Sequence, residues 1–130
     1  EAALWEYNER VMEHFGARYA GLDVYNIFTT AVDVDDLMGL LGALPTQKLS
    51  EALYSGSANI GWKLKLRTAV RSLGHFDLVH DLYRTKNLAD DLIDHYERYP
   101  ADPRGLPAWQ ESRDSLLDRV YETTGADPKY

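Results

Sequence analysis

Apolar residues recur at helical spacing along most of the chain. Those in the first segment lie three or four positions apart, with charged residues between them, so the pattern predicts an amphipathic helix. Its apolar positions are Leu4, Tyr7, Val11, Phe15 and Tyr19. Gly21 is predicted to end this helix. Residues 22–32 are rich in β-branched and aromatic side chains, which suit either a short helix or an extended link, and we interpret them as helical.

Capping and breaking residues predict where the next helices begin and end. Asp33 is an N-cap candidate, and the aspartates at 35 and 36 suit the positive end of a helix dipole. Pro45 ends that helix, and a short helix follows Thr46. Four more helices are then predicted. They are a helix that carries Trp62 and ends at Gly74, a helix with Phe76, Val79 and Leu82, a helix from Asn87 to Pro100, and a helix from Leu106 to Gly125.

No alternating strand pattern interrupts these segments, so the sequence predicts an all-α fold. With the short segment after Thr46 left out of the count, it predicts a compact bundle of six to seven helices. The chain has 130 residues, of which 45% are hydrophobic, enough to bury one core without disulfides or metal ions. We therefore expect a single helical interaction domain over residues 1–130, with a helical extension at 1–30 and a main bundle at 33–124.

Composition excludes several classes of function. The chain has no cysteine, which excludes disulfides, thiolate metal sites and cysteine nucleophiles. Its net charge of −7 argues against general binding to nucleic acid or to anionic membranes. The sequence has no apolar run of roughly 18 residues and no signal-peptide pattern, so we expect a cytoplasmic protein. Because it begins at Glu1, we also expect it to be trimmed or excised, with a targeting segment or a larger parent protein beyond either end.

Charged residues form stripes at helical spacing, and they are the predicted partner-binding residues. The basic stripe consists of Lys63, Arg67 and Arg71, and the acidic pairs are Asp77 with Asp81 and Asp90 with Asp94. Six of the 14 basic residues fall between positions 63 and 86. Such a patch on one protomer can meet an acidic pair on the next. The alternative, that each stripe is only the solvated face of a helix, stays open.

Residues suited to catalysis are few. Asp91 and His95 lie four apart and, with His80, are the best candidates for a metal site, but no matching ligand motif accompanies them. A solvated acidic face is the preferred interpretation. No nucleophile motif or phosphate-binding loop is present in the sequence. We therefore expect a protein that is not an enzyme and that carries no cofactor or metal.

Several residues resemble the pattern of bacterial effector-associated domains, helical modules similar to death and death-effector domains. They are Ser55 to Ala58 (SGSA), Trp62, Leu66, Ala69, Gly74, Asp77 and Leu78, followed by Tyr99, Pro100, Pro103 and Leu106. The resemblance covers about half of the chain. It implies a death-like fold and homotypic association that recruits an effector in immunity or cell-death signalling, and it supplies no catalytic residues.

The sequence thus predicts an adaptor that binds another protein, either a second copy or a matching domain on an effector. Two alternatives remain. One is an acidic inhibitor or immunity protein that binds a basic enzyme or toxin, and the other is a small helical metal-binding enzyme that uses Asp91, His95 and His80.

Overall fold

The computed structural model describes residues 2–43 and 76–128. These residues are helical throughout apart from short connections, and they contain no strand, so the all-α class is confirmed for them. The first stretch consists of α1 (Ala2–Val11), a π-helical turn (Met12–Gly16) and α2 (Ala17–Ala31). The others are α3 (Val34–Ala43), α4 (Phe76–Tyr96) and α5 (Leu106–Thr124), with a 3₁₀ turn at Pro103–Gly105.

The described part of the chain holds four helical stretches, fewer than the six to seven helices predicted. One reason is that α1, the π-helical turn and α2 form a single stretch, since the residues that flank the turn have helical backbone angles. Gly21 was predicted to end the first helix, and this is wrong: it lies inside α2 and is buried. A glycine inside a helix costs about 1 kcal/mol relative to alanine, which tertiary packing overrides here.

The second merger occurs in α4. The sequence predicted a helix around Leu82 and another from Asn87 to Pro100, but the structure has one helix of 21 residues that ends at Tyr96. No proline or glycine lies between Phe76 and Tyr96, so nothing in the backbone requires a break there. The helix ends four residues before Pro100, where the N–H groups of Arg98 and Tyr99 bond to nearby carbonyls in tight turns.

Other predicted ends are confirmed. Asp33 caps α3, because its side-chain Oδ1 accepts the N–H of Asp35 at 2.9 Å and its carbonyl accepts that of Leu37. Gly125 ends α5 in the left-handed conformation, with φ of 70°, a backbone geometry that glycine adopts without strain. The predictions at Pro45, Thr46, Ser55 to Ala58, Trp62 and Gly74 lie outside the described residues.

The core forms where α2 packs against α4, with α5 lying across both. Small residues of α2, including Ala17 and Ala20, let the helices approach closely. The central cluster consists of Ala20, Val24, Leu88, Ala89, Leu92 and Val120. At Gly16 a Cβ atom would lie 3.0 Å from Cδ1 of Tyr96, so the backbone of the π-helical turn also approaches α4 closely. No described helix has the length and apolar character needed to cross a bilayer.

The first helix buries a face other than its predicted apolar stripe. Leu4, Tyr7, Phe15 and Tyr19 are all exposed, by 61–78%, while Val11 is partly buried. The inner face carries Trp5 and Asn8 near its start and the buried residues of α2 further on. We call Leu4, Tyr7, Phe15 and Tyr19 the outer stripe.

Two substitutions of leucine test this assignment of faces. Leu92→Ala should lower the free energy of unfolding by about 2–5 kcal/mol, because the side chain is 1% exposed and its loss leaves a cavity. Leu4→Ala should change it by less than about 0.5 kcal/mol, because Leu4 is 78% exposed. Urea unfolding of the 130-residue chain measures both. Equal losses for the two variants would place Leu4 in the core and contradict the fold.

Candidate functional site

The predicted partner-binding residues fall into two groups. Lys63, Arg67 and Arg71 lie outside the described residues, so the basic stripe stays a prediction. The four aspartates lie on α4, which puts both acidic pairs on one helix. Only the backbone of Asp77, in the first turn of α4, is described. The structure tests none of these residues as contacts to a partner.

The side chains of Asp81 and Asp94 are open to solvent. The Asp81 carboxylate lies 3.8 Å from Nδ1 of His80, and its side chain is about half exposed. Asp94 lies 3.5 Å from Nη2 of Arg98, one turn further along the helix, and both side chains are well exposed. Exposed pairs of this kind contribute at most about 1 kcal/mol to stability, so either carboxylate remains accessible to a partner.

Asp90 has a different environment, because it pairs with a buried cation. The side chain of Lys86 is 10% exposed, and its Nζ donates a hydrogen bond to Oδ2 of Asp90, whose side chain is 41% exposed. A buried ammonium group without a partner is costly, so Asp90 is needed to keep Lys86 in place. Asp90 therefore has a structural role in α4, whatever else it contacts.

The alternative metal site is not assembled. Asp91 faces Arg119 of α5, with 3.9 Å between Oδ2 and Nη2, whereas His95 is turned towards Trp109. Across residues 2–43 and 76–128, no three His, Asp or Glu side chains are grouped so that they could hold a metal ion. The i,i+4 spacing of Asp91 and His95 therefore does not place their side chains together.

A cluster of aromatic rings joins the start of α1, the end of α4 and the start of α5. We call it the aromatic junction. The rings of Trp109 and His95 are stacked with centroids 4.8 Å apart, and Tyr96 and Tyr99 meet the Trp109 ring edge-on at 5.0 and 4.9 Å. Trp5 stacks on Tyr99 at 5.7 Å. Such pairs contribute about 0.5–1.5 kcal/mol each beyond the area they bury.

Polar bonds fix the orientation of these rings. Nε1–H of Trp109 donates to the carbonyl of His95 at 3.1 Å, and Nε2 of His95 contacts the carbonyl of Trp109 at 3.0 Å. Because a carbonyl only accepts, the histidine tautomer with a proton on Nε2 is required. Nε1–H of Trp5 donates to the carbonyl of Pro100, and Asn8 donates to the hydroxyl of Tyr99. The two tryptophans thus tie α1 and α5 to the end of α4.

Charged groups lie at the edge of the junction. Asp102 caps the 3₁₀ turn, and its pKa is lowered by hydrogen bonds from the backbone N–H and the guanidinium of Arg104. Arg113 lies over the Trp109 ring, 5.7 Å from its centroid, and its hydrogen bond to Asp114 raises the pKa of the guanidinium. These interactions stabilise the entry to α5.

An open, polar cleft of about 350 Å³ lies between α4 and α5. Its walls contain two arginines, Arg84 and Arg119, and two carboxylates, Asp91 and Glu122, so its formal charges cancel. The remaining lining residues are Asn87, Leu88 and Thr123. An anion that entered the cleft would have to compete with these carboxylates for the arginines, so the cleft is not suited to binding an anion.

Sequence reasoning missed both features. The sequence-based predictions include neither a contact between Trp5 and Tyr99 nor a role for Trp109 or Arg119. The signal for the cleft was the helical spacing of polar residues at 84, 87 and 91 and at 119, 122 and 123. The junction brings together residues more than 90 positions apart, such as Trp5 and Pro100, and no local pattern reveals it.

Comparison with known proteins gives one relevant similarity. The chain is 25% identical over 118 residues to digeranylgeranylglycerophospholipid reductase from Sulfolobus acidocaldarius. These residues are 89% of this chain and 26% of the reductase, so the chain spans about a quarter of the length of this curated relative. No protein-family model matches the chain, and no solved structure matches it. This relative is named as a reductase, which is an enzyme, whereas the sequence alone predicted a chain that is not one.

Two acidic residues of α4 provide a test of the site. Asp90→Asn should lower the free energy of unfolding by about 1–3 kcal/mol, because Lys86 is left buried without a carboxylate partner. Asp94→Asn is the matched control, since its i,i+4 pair with Arg98 is exposed, and it should cost less than about 0.5 kcal/mol. Urea unfolding measures both. Equal, small effects would show that Lys86 is solvated and would remove the structural role of Asp90.

Proposed function

We propose that this chain is a helical part of a larger reductase, and that the larger polypeptide acts on a glycerophospholipid with isoprenoid chains. The observation that carries the proposal is the similarity to the reductase, which runs through 89% of this chain and covers only 26% of the reductase. In this proposal the chain supplies a rigid helical unit, and the reaction takes place on other parts of the polypeptide.

The geometry of the described residues supports a structural role within a larger enzyme. The first helical stretch, α4 and α5 are held together by the core around Leu92 and by the aromatic junction at one end. Within residues 2–43 and 76–128, the polar groups of the junction are engaged with one another, and Arg119 of the cleft faces Asp91 with 3.9 Å between Nη2 and Oδ2. These groups stabilise the unit and do not face a common substrate position.

The proposal is tested on the natural polypeptide that contains this chain, purified from its host. Its intact mass should be roughly three and a half times the 14.8 kDa of this chain, on the scale of the reductase. With a chemical electron donor, it should convert digeranylgeranylglycerophospholipid to products heavier by two hydrogens for each reduced double bond, measured by lipid mass spectrometry.

The control for this assay is the same polypeptide after heat denaturation, which should give no mass change in the lipid. A natural polypeptide of only 14.8 kDa, or a folded, longer one that leaves the lipid unchanged with the donor present, would contradict the proposal.

A homotypic adaptor is a second proposal, favoured by the exposed carboxylates of Asp81 and Asp94 on one helix. It keeps the partner-binding stripes predicted from the sequence, including Lys63, Arg67 and Arg71. Electrostatic contacts between copies would be strongest at low ionic strength, because salt screens exposed charges. The resemblance to effector-associated domains supports this proposal, because it implies homotypic association.

The adaptor is tested by light scattering coupled to size exclusion at low and high salt. The 130-residue chain should form assemblies at low salt that dissociate at high salt. Paired reversal, Asp81→Lys with Asp94→Lys, should abolish them, while the control Asp118→Lys on α5 should not. A monomer under every condition, or equal effects of the two charge reversals, would argue against homotypic association.

A further inference from the structure

The first helical stretch is apolar on two faces. Its inner face packs on the rest of the described chain through Trp5, Gly16 and the buried residues of α2. The outer stripe, formed by Leu4, Tyr7, Phe15 and Tyr19, lies on the exposed side. A helix that is apolar on opposite faces is typical of a helix buried between two layers of protein. One of those layers is present in the described residues.

The outer stripe is large enough to form an interface. Its four side chains are 61–78% exposed, and three of them are aromatic rings, each of which buries roughly 150–250 Å² when fully covered. Leu4 and Tyr7 are three positions apart in α1, and Phe15 and Tyr19 are four apart across the start of α2. Contiguous apolar patches of several hundred Å² on soluble proteins mark interaction sites.

The charge of the same helical stretch indicates which kind of partner can cover the outer stripe. The stretch carries four carboxylates, at Glu6, Glu9, Glu13 and Asp23, against two arginines, Arg10 and Arg18. An anionic lipid surface would be repelled by this net negative charge, and so would the same stretch of a second copy. A protein face with an apolar centre and a neutral or basic rim is the complementary partner.

We propose that the outer stripe docks this chain onto the remaining part of the longer reductase polypeptide. This inference rests on the proposed function, since the chain spans about a quarter of the reductase it resembles and the rest of such a polypeptide supplies the missing layer. The stretch of residues 2–31 then lies between that part and α4, with Leu4, Tyr7, Phe15 and Tyr19 buried in the contact.

The absence of cysteine from these 130 residues allows the contact to be mapped by thiol labelling. In the natural full-length polypeptide, Phe15→Cys and Tyr7→Cys are introduced one at a time and reacted with a maleimide. Peptide mass spectrometry reads the modified position. Ser115→Cys, at an exposed position of α5, is the matched control. Each rate is compared with that of the same variant unfolded in urea.

The two stripe variants should react roughly tenfold or more slowly in the folded state than in urea, because burial removes the thiol from solvent. Ser115→Cys should react at nearly the same rate in both states. Stripe thiols that react as fast as the control in the folded polypeptide would overturn the proposal. So would protection that grows with protein concentration, which indicates a second copy, or that appears only with added lipid vesicles.

Failure of the proposed function gives a different result. If the stripe thiols are protected at every concentration but the lipid is left unchanged, the docking surface is supported and the lipid reductase activity is contradicted. Conversely, if the polypeptide reduces the lipid while its stripe thiols react fully, the reductase activity is supported and the docking surface is contradicted.

Discussion

Close contact between α2 and α4 is the constraint on which the rest of the described structure depends. Ala17, Ala20 and Gly21 carry small side chains or none, so the two helices approach until Val24 and Leu92 are almost fully enclosed. Dispersion contacts weaken quickly with distance, so this approach depends on small residues on the facing side. Val120 of α5 completes the cluster and fixes the third helix against the other two.

The aromatic junction extends this packing to the end of the unit. Trp109 donates its indole N–H to the carbonyl of His95 in the last turn of α4, and Trp5 donates its own to the carbonyl of Pro100, just beyond the end of that helix. The same rings stack on His95 and Tyr99, so one set of side chains both covers apolar surface and satisfies polar atoms. Directional hydrogen bonds therefore fix how the helices meet, in addition to apolar contact.

The two proposals differ in how they use the surface of this unit. The reductase proposal explains why a stretch of 30 residues presents aromatic side chains outward, because the missing layer belongs to the same polypeptide. The adaptor proposal gives a role to the exposed carboxylates of Asp81 and Asp94 on α4 and leaves the outer stripe without one. The acidic residues of α4 also differ in role. The ion pair with Lys86 makes Asp90 part of the fold, whereas Asp81 and Asp94 stay at the surface.

The sequence by itself determined the helical class, the cap at Asp33 and the end at Gly125, because these follow from local periodicity and backbone geometry. Only the tertiary structure decided which face of the first helix is buried, since both of its faces are apolar and periodicity cannot rank them. It also decided that Gly21 lies inside α2, because packing compensates the local cost of a glycine in a helix. Only the tertiary structure revealed the aromatic junction, because its hydrogen bonds join residues that are far apart in the sequence.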